Sequence, residues 1–320
     1  RLQINLKKIY KMNKIIVLLA AVILSGSAYA QNNILNAKSP EEFGTKTASQ
    51  LENDNDKPLP YGFVGDRDIL WQRTVWETID LDERVNFPLY YPVDTNYVGK
   101  ERRSLYHVLT KAAMSGDIKL YGDSYFNEPR EFSDIQSSLK SQKITNAGIN
   151  ILNDNGVIPD EGVSPLDIDT TYNIPGFDEY IETKTIGADD VKEYRIRGLW
   201  YFDTRQSDLR YRLLGICPVT PDVNFPDDPK GVELFWIYYP DARLLLHNAK
   251  AFNTLNSARP ISFDHILNSR RFNALIYRMD NVQGDRDIKR YVTDNSMMQL
   301  LESDRLKEIV RNFELDMWNY

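Results

Sequence analysis

The sequence predicts an α+β fold: an antiparallel strand core at about residues 193–239, flanked by helices and preceded by a flexible N-terminal arm. Two observations predict the strands. Residues 193–217 form two segments around a polar turn, and residues 232–239 are almost entirely apolar or aromatic. A third observation predicts the helices, because apolar residues recur every three or four positions on both sides of this core.

The strand pair at residues 193–217 is the clearest element. In its first strand Tyr194, Ile196, Gly198 and Trp200 alternate with Arg195, Arg197 and Leu199. Residues 203–208 are polar and predict the hairpin turn. Pro218 and Pro221 are expected to end the return strand, because proline cannot donate a ladder hydrogen bond. Residues 232–239 predict a third strand, central or covered on both faces, because a strand that is apolar throughout has no side for water.

A helix is predicted before the core, beginning at Ser104. Its apolar face consists of Leu105, Val108, Leu109, Ala112 and Ala113. Gly116 is expected to end it, because glycine adopts the left-handed cap conformation without steric cost. A short strand at residues 118–121 follows.

Further helices are predicted after the core. Asp241 and Asp264 are expected to cap two of them, because a short carboxylate accepts amide hydrogens of the first turn. Arg270 and Arg271 are expected to face solvent, ahead of an extended segment at residues 274–279. The chain from residue 296 is helical, and a division into two helices, with Ser303 capping the second, is left open.

The N-terminal residues read as a targeting segment. Residues 1–30 combine a basic start, a short apolar run at 15–24 and a small-x-small cleavage site, Ala28-Tyr29-Ala30, and Met12 is the expected initiator. Residues 31–61 are polar and rich in Asn, Asp, Ser and Pro, which predicts a flexible arm. Whether that arm is a solvated tail or orders on a neighbouring subunit is left open. Residues 62–320 form the predicted α+β domain, and a division into 62–190 and 191–320 is also left open.

The charge of the chain excludes some partners. The whole chain carries a formal net charge of −7. The first 30 residues hold five basic side chains and no acids, so the predicted mature chain carries −12. An acidic surface repels phosphate backbones and anionic lipids, and nucleic acid is therefore not an expected partner.

The sequence contains no pattern that predicts catalysis. No nucleophile elbow, phosphate loop, dinucleotide fingerprint or HExxH motif occurs. His107, His247 and His265 lie in separate segments without metal-ligand spacing, and Cys217 lies in an apolar run that favours a buried thiol. Acids at residues 154–169 lack the spacing of a calcium loop, and adjacent acid pairs suit solvated loops better than a glycosidase site. We therefore expect no catalytic, cofactor or metal residues.

The stretch at residues 66–92 predicts a docking unit. Its apolar residues Ile69, Trp71, Val75, Trp76 and Ile79 favour a helix capped by Asp66 or Asp68. Pro88 and Pro92 bracket Leu89-Tyr90-Tyr91, which is expected to be extended. The side-chain types that dominate protein interfaces are concentrated here. The candidate partner contacts are Trp71, Arg73, Trp76, Tyr90 and Tyr91.

Several blocks of sequence, in the same order, resemble the N subunit family (GldN/PorN) of the gliding-motility and type IX secretion machinery. They are Ile69-Leu70-Trp71, Val75-Trp76, Ile79-Asp80-Leu81, the PLYYP segment at 88–92, the ELFWIYYP segment at 233–240, the FDHI segment at 263–266, the RRF segment at 270–272, the NFE segment at 312–314 and Trp318. The resemblance covers most of the chain after about residue 60.

The resemblance implies a non-enzymatic periplasmic subunit that binds an outer-membrane lipoprotein and further copies of itself in a ring-like complex. It also implies contact with the periplasmic part of an inner-membrane motor. The 19 Tyr, 13 Phe and 5 Trp residues alone would equally permit a carbohydrate- or peptidoglycan-binding module that stacks sugars on exposed rings. Glycan pull-down with the isolated protein supports that alternative, whereas stability that depends on a lipoprotein partner supports assembly.

Processing gives the first testable prediction. The exported protein should begin at Gln31, because the small residues Ala28 and Ala30 fit the peptidase pockets. Intact-mass measurement of the exported protein checks this, and a membrane-bound species that retains residues 15–24 would contradict it.

Overall fold

The computed structural model describes residues 52, 56–94, 96, 102–157, 176–223, 231–256, 260–293 and 295–318. The chain divides into two units, Arg1–Asp56 and Lys57–Tyr320. The predicted leader and most of the predicted arm lie outside the described residues. Within these residues, no helix combines the length and apolar character that crossing a bilayer requires.

The strands are β1 (Ile69–Asp80), β2 (Leu120–Tyr121), β3 (Pro129–Arg130), β4 (Lys140–Ile144), β5 (Ile181–Thr185), β6 (Glu193–Asp203), β7 (Asp208–Thr220), β8 (Val232–Glu233), β9 (Trp236–Tyr238), β10 (Lys250–Ala251), β11 (Ile261–Ser262) and β12 (Leu275–Met279). The helices are α1 (Phe87–Tyr90), α2 (Leu105–Ser115), α3 (Phe132–Leu139), α4 (Asn146–Asp154), α5 (Tyr239–Asn248), α6 (Phe263–Asn268), α7 (Ile288–Tyr291) and α8 (Ser296–Trp318).

An antiparallel sheet forms the centre of the fold, and the predicted α+β class is confirmed. Its strand order is β12-β1-β6-β7-β9-β2-β3, with β8 also paired to β7. The predicted hairpin is present as β6 and β7, which pair from Glu193 opposite Val219 to Asp203 opposite Asp208 with a register shift between Arg197 and Gly198. The prediction that Pro218 ends β7 was wrong, because the strand continues to Thr220. The Pro218 carbonyl still accepts a hydrogen bond from the Leu234 amide at 3.1 Å, so the ladder continues past it.

The helix predicted from residue 69 is wrong, because these residues form β1. Ile69, Trp71, Val75 and Ile79 are all at odd positions, so they fit the two-residue repeat of a strand as well as the helical repeat. Trp76, at an even position, is buried on the opposite face. β6 pairs with β1 from Ile69 to Asp80, and β12 pairs with its other side from Val75 to Thr78, so hydrogen bonds to distant strands hold these residues extended.

The segment between Pro88 and Pro92 is also not extended throughout. Leu89 and Tyr90 belong to the short helix α1, and only Tyr91 has extended backbone angles. Pro88 lies in the first turn of α1, where a missing N–H costs nothing because that group has no partner within the helix. The Tyr91-Pro92 peptide bond is cis.

The predicted third strand is two short strands, β8 and β9, separated by Leu234 and Phe235. Its predicted burial is confirmed, since Leu234, Phe235, Trp236 and Ile237 are each at most 3% exposed. Tyr239 ends the extended segment by beginning α5.

Helix α2 confirms its predicted ends. The Ser104 hydroxyl accepts a hydrogen bond from the His107 amide, and Gly116 has a left-handed φ of 75°. The strand predicted at residues 118–121 is confirmed in its second half as β2.

The predicted caps of α5 and α6 are wrong. Tyr238 and Ser262 precede these helices, and the Ser262 hydroxyl accepts from the His265 amide. The chain from residue 296 is one helix, α8, and Ser303 is buried within it rather than capping a second helix.

The apolar core is divided between the two faces of the sheet. The largest cluster includes Ile79, Leu105, Ile196, Ile216 and Phe263, all fully buried. A second cluster packs Leu306 and Val310 of α8 against β1 and β12. A third, built from Trp76, Cys217 and Trp236, lies on the other side of β1.

Arg270 does not face solvent, which corrects the prediction. It has a left-handed φ of 50°, a conformation that costs about 1–3 kcal/mol in a residue with a side chain. Its guanidinium donates two hydrogen bonds to the Glu77 carboxylate, at 2.8 and 2.9 Å, and the Tyr211 hydroxyl donates a third at 3.2 Å. Because Glu77 is only 2% exposed, these partners take the place of water around its carboxylate. Arg271 is exposed, as predicted.

Replacing Trp236 with Ala should lower the free energy of unfolding by about 3–5 kcal/mol, through lost burial and a residual cavity. The indole is 1% exposed and donates to Glu233 at 2.7 Å. Denaturant unfolding measures the effect, with Trp318→Ala as the matched control because Trp318 is 75% exposed. Equal stability of Trp236→Ala and the parent protein would show that the strand is not part of the core.

Replacing Arg270 with Met should cost about 3–5 kcal/mol, because it leaves the buried Glu77 carboxylate without a cation. The double variant with Glu77→Met should be more stable than Arg270→Met alone, since it removes both charges together. A double-mutant cycle in chemical denaturant measures the coupling. A double variant no more stable than Arg270→Met would assign the loss to packing instead of the ion pair.

Candidate functional site

The predicted partner contacts on β1 are separated by the sheet. Trp71 stacks on Phe313 of α8, with ring centroids 4.6 Å apart. Arg73 pairs with Asp280 at 3.3 Å and keeps a half-exposed side chain. Trp76 is buried on the other face, where the guanidinium carbon atoms of Arg197 and Arg278 lie 5.3 and 5.0 Å from its ring centroid.

The other two predicted contacts lie at the end of α1. The Tyr90 hydroxyl donates to the Asp189 carbonyl at 3.1 Å, and burial raises the pKa of this hydroxyl. Tyr91 is half exposed and packs edge-on against Tyr90 and Phe87. Arg73 and Tyr91 are therefore more accessible than Trp76.

A cleft of about 700 Å³ opens beside the first half of β7. Residues 57–62, which we call the strap, form one wall, and the other walls come from β6, β7, α5 and α6. Sequence analysis did not identify this cleft, because its residues are far apart along the chain. The lining residues include Lys57, Tyr61, Gly62, Trp200, Tyr201, Leu209, Arg210, Tyr211, Arg212, Arg243, His247, Asp264, His265, Asn268 and Arg270.

Tyr61 fixes the strap to the cleft. Its hydroxyl donates to Asn268 Oδ1 at 2.9 Å, and the guanidinium carbons of Arg243 and Arg212 lie 4.2 and 4.8 Å from its ring centroid. Burial is the main cause that raises the pKa of Tyr61 to about 12, so its hydroxyl keeps its proton at neutral pH. Tyr61 was predicted as the last residue of the flexible arm, and in the structure it is anchored.

Asp264 joins α5 to α6 beneath the cleft. It is 4% exposed and accepts hydrogen bonds from the Tyr239 hydroxyl at 2.8 Å, from Arg243 Nε at 3.0 Å and from Asn268 Nδ2 at 2.8 Å. Burial followed by the charge of Asp264 raises the pKa of Tyr239, so Tyr239 remains a donor. The carboxylate that the sequence suggested as a cap thus serves as a tertiary contact.

The cleft is cationic although the chain is acidic. Among its described lining residues five are Lys or Arg and one, Asp264, is acidic. Arg243 pairs with Asp264 and Arg270 with Glu77. Arg212 instead donates to the Gly62 carbonyl at 2.8 Å and, more weakly, to the Tyr201 hydroxyl at 3.4 Å. Within the described part of the chain, no carboxylate forms a salt bridge with Arg212.

The structure brings two of the three histidines to the same cleft. His247 comes from α5 and the exposed His265 from α6, and both are lining residues. His107 lies on α2, where burial and then the charges of Arg103 and Lys111 lower its pKa. Among the described residues, no group of three or more His, Cys, Asp or Glu side chains is arranged to hold a metal ion.

Cys217 is a buried hydrophobic side chain, as predicted. It is fully enclosed with Trp76 and Trp236. Burial raises the pKa of its thiol well above the usual value, which keeps it protonated.

Large apolar side chains are exposed on α8 and on the strap. The exposed group on α8 consists of Met297, Met298, Leu300, Leu301, Leu315 and Trp318. In the strap Leu59 is 82% exposed, and Phe63, which directly follows the strap, is 85% exposed. The apolar residues of α8 are therefore divided: Val310 and Leu306 pack on the sheet, while Leu300 and Leu301 face outward.

Comparison with known proteins identifies the family. The family model described as gliding motility associated protein GldN matches residues 64–319. No curated protein matches the chain. The family match spans the sheet, the helices around it and most of the cleft. The chain therefore belongs to the GldN family and is a component of the gliding-motility and type IX secretion machinery.

Proposed function

We propose that this protein is a non-enzymatic structural subunit of that machinery, located in the periplasm and held at the outer membrane by a lipoprotein partner. In this proposal further copies of the chain join it in a ring-like complex. The periplasmic part of an inner-membrane motor is its third partner. Family membership supports the assignment to the secretion machinery, and the properties of the surface support a role in assembly.

The observation that carries the assembly role is the outward-facing apolar side of α8. This helix buries only Ser303, Leu306 and Val310 among its described residues. At its two ends, side chains such as Leu301 and Trp318 are 54% and 75% exposed. Exposed apolar groups of this size gain free energy when a partner removes them from water, at about 25 cal/mol per Å². Trp and Met are also enriched in protein interfaces.

The chemistry of the buried polar groups supports assembly over catalysis. The Glu77 and Asp264 carboxylates are each engaged by an arginine and by tyrosine hydroxyls. The Cys217 thiol is enclosed. The two carboxylates hold elements of the fold together, as buried structural ion pairs usually do.

The aromatic rings of the cleft disfavour the carbohydrate-binding alternative. Sugar stacking needs a free ring face. Arg243 and Arg212 lie against Tyr61, and Arg270 lies 4.1 and 5.3 Å from the centroids of Tyr211 and Trp200. Guanidinium groups therefore already occupy the positions where a sugar ring would stack.

The N-terminal arm is proposed to join neighbouring subunits. Tyr61 fixes the point where it leaves the domain. Residues 31–56 have too little apolar content to fold alone. A segment that orders on a neighbour makes a head-to-tail contact, and such contacts close into rings when the rotation allows.

Deletion of residues 31–60 should leave a folded protein that assembles poorly with the lipoprotein. Tyr61 and its contacts remain, so the domain should keep its structure. Size-exclusion chromatography of the co-expressed pair measures assembly, and circular dichroism measures folding. The matched control replaces the same residues with a Gly/Ser segment of equal length. Complexes of normal size from the truncated chain would contradict the role of the arm, whereas loss of folding would assign the arm to the core.

A further inference from the structure

The first half of β7 has an open edge. Residues 208–212 pair with β6 on one side and are exposed or partly exposed, whereas Leu213 is buried. On the other side β9 begins pairing only at Gly215, and β8 only at Val219. No other described strand pairs with this edge. In an antiparallel ladder every second residue directs its N–H and C=O away from its neighbour, so this edge presents unpaired backbone groups over about 17 Å, at about 3.3 Å per residue.

The cleft runs along this edge. Leu209, Arg210, Tyr211 and Arg212 all line it. Because successive side chains of a strand point to opposite faces, a cleft that four consecutive residues line follows the edge of the strand instead of one face. Residues of the strap also line the cleft, and Gly62 and Tyr61 contact the Arg212 side chain. Among the described backbone hydrogen bonds, none joins the strap to β7.

The side chains at the edge have a clear charge pattern. Arg210 and Arg212 are two residues apart and so share a face, while Leu209 and Tyr211 occupy the other. Arg210 has one exposed partner, Asp208, at 3.3 Å, and such pairs are weak because water screens them. Arg212 is held in place by the Gly62 carbonyl and the ring of Tyr61, so its guanidinium is already positioned. Planar guanidinium groups fixed in this way bind carboxylates with two hydrogen bonds.

We infer that this edge of β7 binds an extended acidic segment of a partner protein, which adds a strand to the sheet. Acidic residues at every second position of the segment pair with Arg210 and Arg212. Apolar residues between them contact Leu209 and Tyr211. The backbone supplies affinity and the alternating side chains supply specificity, as in other cases of strand addition. The inference rests on the proposed function only in assigning the segment to an assembly partner.

The test measures binding of fluorescein-labelled peptides to the purified full chain by fluorescence anisotropy. The probe is Thr-Val-Glu-Val-Glu-Val-Thr, blocked at both ends. A second peptide carries Pro in place of the central Val, which keeps the charge but removes a backbone donor. A third places the two Glu residues next to each other. Saturable binding of the probe, weakened at least about ten-fold in both altered peptides and reduced by added salt, is the expected result.

The protein variant is Arg210→Gln with Arg212→Gln, which avoids the structural pairs of Arg243 and Arg270. It should bind the probe at least about ten-fold more weakly, with an unchanged far-ultraviolet circular dichroism spectrum. The matched control is Arg290→Gln with Arg311→Gln, because both side chains are largely exposed and neither lines the cleft. This control should bind like the parent.

Three results would overturn the inference. They are no saturable binding of the probe, equal binding of the Pro-containing peptide, and equal losses in the two double variants. Equal binding of the Pro peptide would indicate a simple anion site, and free glutamate or inorganic phosphate would then compete. Equal losses would indicate long-range charge alone. The peptide assay needs neither residues 31–56 nor the lipoprotein, so its failure can be distinguished from failure of the proposed assembly role.

Discussion

The buried ion pair between Glu77 and Arg270 is the interaction on which the arrangement of this protein depends. Glu77 lies in β1, between β12 and β6, and Arg270 lies in the turn between α6 and β12. The pair therefore fixes the connection from a helix back to the edge of the sheet. Burying a carboxylate costs several kcal/mol unless it is fully paired. The left-handed backbone at Arg270 persists because the rest of the structure holds it, through Glu77 and the nearby rings of Tyr211, Trp200 and Phe272.

The same pair shapes the cleft without being free to bind a ligand. Arg270 and Tyr211 form part of the wall, but their polar groups are directed to Glu77. Asp264 acts similarly on Arg243. Two of the arginines in the cleft are therefore structural, and Arg210 and Arg212 are the ones left for recognition. This division explains why a strongly basic wall can exist in a folded acidic protein, because the buried carboxylates of Asp264 and Glu77 neutralise two of its arginines.

The α+β class, the β6–β7 hairpin and the ends of α2 could be predicted from the sequence, because local patterns determine them. A mostly two-residue alternation, a polar turn and the Ser104 and Gly116 caps each act over a few residues. The error at β1 has a physical cause. Apolar residues at 69, 71, 75 and 79 satisfy both periods, and pairing with distant strands decides between them. The misassigned cap at Asp264 has a similar cause, since Tyr239 and Arg243 lie more than 20 residues away and compete for the same carboxylate.

The cleft could not be predicted, because it is assembled from residues 57–62, 200–212, 243–247 and 262–270. No local pattern connects Tyr61 to Arg212, although they are in contact in the fold. The consequence for function is electrostatic. A chain with net charge −7 repels other acidic surfaces at a distance, and so resists indiscriminate association with copies of itself. A cationic edge within that surface makes the electrostatic potential locally positive. An acidic strand gains attraction to Arg210 and Arg212 in addition to backbone hydrogen bonds, whereas a neutral or basic strand lacks that attraction. The charges that protect an exposed edge from random pairing thus also select the partner allowed to pair with it.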